Sequence, residues 1–381
     1  MHDENKSDTS LKRRIFQKIE ENPLAAISFA EFMDLALYEP ELGYYSRAGR
    51  AIGRDGGDFY TSVSVGDCFG LLLSYAIEEQ WQKGGSVENY LLIEQGAHDG
   101  QLAFDILDAL QQRDSALLKV LSYWVIEPHE GRRAFLQQRI ENSAHGATVK
   151  VVAEVKEIAP EQSAARRGIF LCNELVDAFA VERIRLEGGE WKRLWVKRAD
   201  TESGFEYQAR KIEDARLLRE VAAIDLDGLR EGYTTEINLA MRPWLQSVSA
   251  LFEPGGGHWW IIDYGHREED YFSPERTAGT LRCYHQHRAT DDAFVDPGEL
   301  DITAHVNFSR LAKFAATLGM KSEVLQDQHD FLIRSAKTWL LKMEAQQVTQ
   351  EPENKKRLRQ FQTLTHPGMM GRQFKVLRLR N

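Results

Sequence analysis

The sequence predicts an α/β fold built on a mostly parallel sheet, and two observations carry that reading. From about Cys68 onward, apolar runs alternate with amphipathic segments: "CFGLLLSYAIEEQW", "YLLIEQG", "QLAFDILDALQQR", "YWVIEPH", "GRRAFLQQRIEN", "VKVVAEV" and "GIFLCNELVDAF". Such alternation implies right-handed crossovers between parallel strands. The second observation is a glycine turn, Gly96-Ala97-His98-Asp99-Gly100, between the first strand and the helix that follows, with an acid, Glu127, closing the next strand.

Taken in order, residues 1–10 are polar and read as a disordered tail. From Leu11 to about Leu37 the apolar spacing is helical with a break near Pro23, and Ser28 with Glu31 has the spacing of a capping box. The stretch "EPELGYYSRAGRAIGRDGGDFYTS" (39–62) has no period and reads as a long functional loop. The seven segments above then give helix, strand, helix, strand, helix, short strand, and a strand running into a turn. From Val181 to about Ile212, "VERIRLEGGEWKRLWVKRA" reads as an inserted antiparallel hairpin closed by Gly188-Gly189. "TTEINLAMRPWLQSVSALF" reads as helix and "HWWIIDYG" as a buried strand, while residues 266–308 look irregular. The C-terminal part reads helix, strand, helix and a last strand, "QFKVLRLR". The chain thus divides into a tail (1–10), a helical and glycine-rich segment (11–90), and a core (91–381) carrying inserts at about 183–230 and 266–308.

The 381 residues suffice for a large core. A net charge of -10 argues against a surface that wraps nucleic acid. No apolar run approaches the ~20 residues of a membrane span. The N-terminus lacks the apolar stretch of a signal peptide and carries too many acids for a transit peptide, so the expectation is a cytoplasmic protein. Cys68, Cys172 and Cys283 lie far apart with no C-x-x-C, which suits reduced structural thiols.

Open parallel sheets hold ligands at the carboxyl ends of their strands. The dinucleotide fingerprint G-x-G-x-x-G is absent here, and Glu94 and Asp99 put negative charge around the turn. That disfavours a phosphate and suits a cation. S-adenosyl-L-methionine fits, being a nucleoside without phosphate that carries an amino group and a sulfonium, and Glu127 is placed to accept from ribose hydroxyls. The plainer alternative is a tight strand–helix turn. Downstream, "NELVD" follows the buried strand "GIFL", so Asn173, Glu174 and Asp177 fall at a strand's carboxyl end. If that stretch turns helically, Glu174 and Asp177 share a face and can grip a guanidinium; otherwise they are ordinary acids at a helix start. Asp58 could fold over a cofactor or serve only its Gly-Gly-Asp turn. Tyr44, Tyr45 and Phe59 could shield a cation or simply pack. His285 and His287 have His-x-His spacing, but solvated histidines are the ordinary reading and no metal is expected. The basic and aromatic residues of "GGEWKRLWVKR" alternate in twos, as on a half-exposed hairpin rather than a nucleic-acid surface.

Eight segments in one order add a further signal: "GGDFYTS" (56–62), "IEQGAHDGQLAFDIL" (93–107), "VIEP" (125–128), "CNELVDAFAVERI" (172–184), "IIDYGH" (261–266), "GTLRCYHQH" (279–287), "DPGELDITAHVNFS" (296–309) and "MMGRQFKVL" (369–377). From about Ser28 to the C-terminus the chain resembles the MidA-like family of S-adenosyl-L-methionine-dependent methyltransferases. That family includes the mitochondrial complex I assembly factor that methylates an arginine on a subunit of NADH dehydrogenase. The resemblance implies a seven-stranded, Rossmann-like class I methyltransferase core, with a helical N-terminal segment and inserts after the fourth and fifth strands. It implies methyl transfer to arginine of a partner protein, a respiratory NADH dehydrogenase subunit among the candidates. It places the cofactor on Glu94, Gly96, Gly100, Glu127, Asn173 and Asp58, and the catalytic role on Glu174 and Asp177. The family has glycine where this chain has His98, and proline at Val63 and Ala180. Two other readings stay open at this point: a non-catalytic assembly factor on the same fold, and a methyltransferase for small molecules.

Overall fold

The computed structural model describes residues 11–46, 61–146, 148–158, 166–285 and 288–381. Asp58 and Phe59 lie outside the described residues, as does His287.

The central sheet is built from β1 (Tyr90–Gln95), β2 (Leu121–Ile126), β3 (Val149–Val152), β4 (Arg167–Asn173), β5 (Gly257–His266), β6 (Lys321–Asp327) and β7 (Phe374–Arg380). Its order is β3-β2-β1-β4-β5-β7-β6. β1, β2, β3, β4 and β5 pair in parallel, and β7 runs antiparallel to both β5 and β6. A short strand, Val306–Asn307, adds to the end of β5. Helices cover both faces of the inner strands, which is why β1, β4 and β5 read as near-continuous apolar runs. On one face, Leu92, Tyr123, Leu171, Trp260 and Val376 pack under the helices Cys68–Lys83, Gln101–Gln112 and Gln328–Gln346. On the other, Ile93, Phe170, Trp259 and Ile261 meet the helices Met241–Ser249 and Phe308–Thr317. This is the doubly wound arrangement expected.

The N-terminal helices are Leu11–Glu21 and Phe29–Tyr38. The second starts on the expected capping box: Ser28 Oγ accepts from Glu31 N at 3.1 Å, and Glu31 Oε2 accepts from Ser28 N at 2.8 Å. The hairpin Glu182–Glu187/Glu190–Arg198 turns through Gly188 and Gly189, both with positive φ (62° and 75°), as two-residue hairpin turns require.

Four local expectations are corrected. Thr234–Ile237 is a strand paired with Glu182–Glu187, and the helix begins only at Met241. Phe205–Lys211 adds a further strand, so the first insert, joined by Ile27–Ser28, forms a five-stranded antiparallel sheet. Within 266–308, Arg282–His285, Arg288–Thr290 and Asp301–Thr303 form a small sheet rather than irregular chain. Between β6 and β7 there are two helices, Gln328–Gln346 and Pro352–Thr365, where one was expected. The first stops at Gln347 in a left-handed conformation (φ 56°) and the second starts on a proline.

Leu11, Ile15 and Phe32 of the N-terminal helices share one apolar cluster with Val196 and Phe205 of the first insert and Phe294 and Ile302 of the second. This cluster meets the parallel sheet just beyond β4. There Ala304 N donates to Asp177 O (2.9 Å) and Tyr38 Oη donates to Ala178 O (2.8 Å).

Candidate active site

A cavity of about 900 Å³ opens at the carboxyl ends of β1, β2 and β4. Glu94, Gly96, Glu127, Asn173, Glu174 and Asp177 all line it, so the structure brings together residues spread over more than eighty positions. Gly100 does not line it.

After β1 the chain reverses through three left-handed residues, Gly96 (φ 84°), His98 (φ 51°) and Gly100 (φ 80°). His98 therefore occupies a glycine's conformation, in line with the glycine of the family pattern. A Cβ at Gly96 would sit 3.2 Å from Leu175 Cδ1, and one at Gly100 would sit 2.8 Å from Leu136 Cδ1. Glycine at 100 thus serves the fit of the turn against the helix Glu130–Glu141 rather than the cavity wall.

The two acids expected to meet a cation differ. Asp99 is already ion-paired with Arg139. Burial opposes its ionisation, but His98, Arg139 and the Gln101 N–H together hold its carboxyl at about 2. Glu94 is 2% exposed and, among the described residues, accepts only from Tyr123 Oη, at 2.6 Å. Burial, opposed by that hydroxyl and aided by Asp99 and Asp105, lifts its carboxyl to about 7. At the end of β2, Glu127 Oε1 accepts from His129 N (3.0 Å), and its Oε2 lies 3.5 Å from Arg132 Nε.

Asn173 ends β4. Its Nδ2 donates to Glu174 Oε1 at 3.0 Å, while its buried Oδ1 has no partner among the described residues. No helix follows, so Glu174 and Asp177 are not neighbours on a helical face as the spacing suggested. Glu174 instead adopts φ 52°, an uncommon conformation for a non-glycine residue. Ser62 N (2.9 Å) and Asn173 Nδ2 converge on its Oε1, and Tyr264 Oη (2.9 Å) donates to its Oε2. Burial raises its carboxyl to about 7 against the pull of these donors.

The turn beyond Glu174 is clamped by Asp263 Oδ2, which accepts from Val176 N (2.9 Å) and Asp177 N (3.2 Å). Asp177 is 3% exposed, and burial, then Asp263, Asp301 and Glu174, push its carboxyl well above the usual range. Neither Glu174 nor Asp177 has a lysine or arginine within ion-pair distance among the described residues.

Sequence reasoning missed the roles of Tyr264, Tyr38 and Arg132. The first was visible only as part of "DYGH". The last two line the cavity, as does Tyr45. Tyr44, the other tyrosine expected there, is packed in the core. Among the described residues no group of three or more His, Cys, Asp or Glu side chains is placed to hold a metal ion.

The chain is similar over most of its length to proteins whose chemistry is named. Residues 72–326, more than half of the chain, match the profile of an S-adenosyl-L-methionine-dependent methyltransferase family. A Drosophila melanogaster protein named protein arginine methyltransferase NDUFAF7 homolog, mitochondrial, is 27% identical over 92% of this chain and 80% of its own. The Homo sapiens protein arginine methyltransferase NDUFAF7, mitochondrial, is 24% identical over 97% of this chain and 83% of its own. A crystal structure of a Burkholderia thailandensis protein bound to S-adenosyl-homocysteine superposes with a TM-score of 0.82 at 28% identity, covering 97% of this chain and 92% of that one. The expectation of a cytoplasmic protein is overturned by these relatives, which are mitochondrial by name. The absence, among the described residues, of any helix long and apolar enough to cross a membrane does not bear on that point. The sheet order, the glycine turn at the carboxyl end of β1 and the match over residues 72–326 converge: the chain belongs to the family of S-adenosyl-L-methionine-dependent methyltransferases, and that compound is its cofactor.

Proposed function

We propose that the methyl group goes to an arginine of a partner protein, and that Glu174 and Asp177 receive the guanidinium. One observation carries this: two carboxylates, the buried Asp177 and the half-buried Glu174, face the cavity with no basic partner among the described residues. An unpaired buried charge is strongly unfavourable, so such acids hold their proton to higher pH than ordinary carboxyls and ionise more readily once a cation arrives. The names of the relatives point the same way.

The cavity's features suit the cofactor as well. Asn173 Oδ1 awaits a donor, such as an ammonium, and Glu94 supplies a carboxylate that a nearby positive charge would ionise. Glu127 remains open to ribose hydroxyls, and Gly96 keeps side chains away from the turn. At about 900 Å³ the space lies near the upper end of ligand pockets, which run to roughly 1,000 Å³, leaving room for part of an acceptor.

Bound S-adenosyl-L-methionine supplies an electrophilic methyl group on a positive sulfonium. The residues of this chain orient the acceptor and take its proton. Glu174 Oε1 is occupied by two donors and Oε2 by one, so Glu174 presents a single free acceptor position on Oε2 rather than a two-oxygen fork. A carboxyl near 7 is well matched to accept the proton that the guanidinium nitrogen sheds as its bond to the methyl carbon forms. Asp177, ionising as the guanidinium enters, holds the charge on the far side. Positioning of this kind can supply up to about 7–11 kcal/mol of the barrier.

The test is transfer of label from cofactor to protein, with a respiratory NADH dehydrogenase subunit tried first and a whole extract second. Label on arginine, lost with Glu174→Gln and Asp177→Asn at retained cofactor binding, is the expected result. Label confined to small molecules would refute the arginine reading.

A further inference from the structure

We infer that Arg132 is a positioning residue that ties the acceptor wall of the cavity to cofactor occupancy. The wall is formed by two tyrosines from the N-terminal segment. Tyr38 and Tyr45 stack with ring centroids 5.5 Å apart. Tyr38 Oη is bonded to the loop that carries Asp177, through Ala178 O. Tyr45 Oη donates to Asp301 Oδ1 of the second insert at 2.7 Å.

The same segment is tied to the turn after β2. Arg132 Nη1 donates to Tyr45 O at 3.1 Å, its guanidinium carbon sits 5.8 Å from the Tyr45 ring centre, and His129 Nε2 lies 3.2 Å from Pro40 O. Arg132 therefore has one nitrogen on the acceptor wall and another facing Glu127, the acid assigned to the ribose.

The geometry is asymmetric. The contact to Tyr45 O is a normal hydrogen bond, whereas 3.5 Å to Glu127 Oε2 exceeds the roughly 2.7–2.9 Å of a charge-assisted bond. Among the described residues Glu127 is held by a hydrogen bond on one oxygen, from His129 N. Ribose hydroxyls bonding to this carboxylate would fix its remaining rotation and give Arg132 a stationary counter-charge. A stationary Arg132 restricts Tyr45, and with it Tyr38 and the Ala178 loop. By linkage, an ordered wall favours the cofactor by the same factor. The proposal rests on the cofactor site alone and holds whichever acceptor is methylated.

Amide hydrogen exchange across residues 38–46, with and without saturating S-adenosyl-homocysteine, reads this coupling. In the wild-type chain the product should slow exchange there by about fivefold or more, the lower end of typical coupling. Arg132→Lys keeps a charge beside Glu127, but one ammonium cannot also serve Tyr45 O. It should bind the product and lose the slowing, as should Arg132→Met. Tyr45→Phe keeps the carbonyl that Arg132 grips and should retain it. Exchange in β1 and β4 serves as the check that each variant is folded. Equal slowing in wild type and Arg132→Lys, or none in the wild type at full occupancy, would overturn the proposal. Failure of the wild type to bind the product would instead remove the cofactor site itself.

Discussion

Cofactor affinity should rise steeply with pH up to about 7 and then level off, and Glu94 should be the reason. Glu94 is buried, accepts a hydrogen bond from a phenol, and its carboxyl stands near 7 against an ordinary value near 4.5. Desolvation is the main cause, so the neutral form is what the empty site favours. A cationic ligand reverses that preference. Below the raised value, binding must expel the proton, so affinity falls as pH falls; above it the carboxylate is already present and pH ceases to matter. For one group titrating at about 7, the ionised fraction drops from one half at pH 7 to about 3% at pH 5.5, which predicts about fifteenfold weaker binding. Asp105 also stands near 7 and Asp99 near 2, both close to Glu94, so the pH series alone does not assign the group. Glu94→Gln does: the amide can still accept from Tyr123 but has no proton to lose. Calorimetric titration with S-adenosyl-L-methionine from pH 5.5 to 8.5 should give the slope in the wild type and a nearly flat line in the variant. A flat wild-type profile, or an unchanged slope in Glu94→Gln, would refute the reasoning.

Other outcomes follow from the same geometry. His98→Gly should raise stability by about 1 kcal/mol, measured by denaturant unfolding, because a left-handed residue loses its Cβ strain, and should leave cofactor affinity equal or better. Glu174→Gln and Asp177→Asn should each slow methyl transfer by about a hundredfold while changing cofactor Kd little. Tyr264→Phe removes a donor that lowers the Glu174 carboxyl, so the limb of the pH–rate profile governed by Glu174 should move to higher pH and kcat should fall by about tenfold. Gly96→Ala should weaken both cofactor binding and the fold, the latter by about 1–2 kcal/mol, since φ 84° and the 3.2 Å approach to Leu175 both oppose a side chain. A blocked site with unaltered stability would show that the turn had relaxed.

The parallel part of the fold was legible because β1, β4 and β5 are covered on both faces, which leaves uninterrupted apolar runs such as "GIFL" and "WWII". Thr234–Ile237 was not, although all four residues are buried. Its Thr-Thr-Glu-Ile composition has no apolar period, and burial of Glu236 is made possible by Thr280 N and Oγ1, donors forty-four residues away. The strands of the small sheet at Arg282–Thr303 are only three or four residues long, too short for any periodicity. In the site, residue types were legible and conformations were not. "NELVD" placed polar side chains at a strand end, but the left-handed Glu174 is held by Ser62 N and Tyr264 Oη, and the turn after it by Asp263. Tyr264 and Asp263 become neighbours of this turn only when β5 lies beside β4, with Ile262 opposite Asn173.

That dependence bears on why the cavity is a reaction site and not a vestige of one. Glu94, Asp177 and Asp263 are buried and Glu174 half-buried; desolvation raises all four carboxyls, and no lysine or arginine among the described residues is within ion-pair distance of any of them. Each is a liability to the folded chain at neutral pH, since folding must hold a proton on it or bury a bare charge. Asp263 is compensated by the N–H groups of Val176, Asp177 and Tyr264 and lies off the cavity lining, while Glu174 keeps one acceptor position beyond its own three donors. The other three are arranged around one cavity, Glu94 on the cofactor turn and Glu174 with Asp177 beyond β4. A surface that only held a partner elsewhere on the molecule would gain nothing from this arrangement. Two cations entering from solvent, a sulfonium with its ammonium near Glu94 and Asn173 and a guanidinium near Glu174 and Asp177, would relieve both ends together. The raised acids that line the cavity thus mark where each charge is expected.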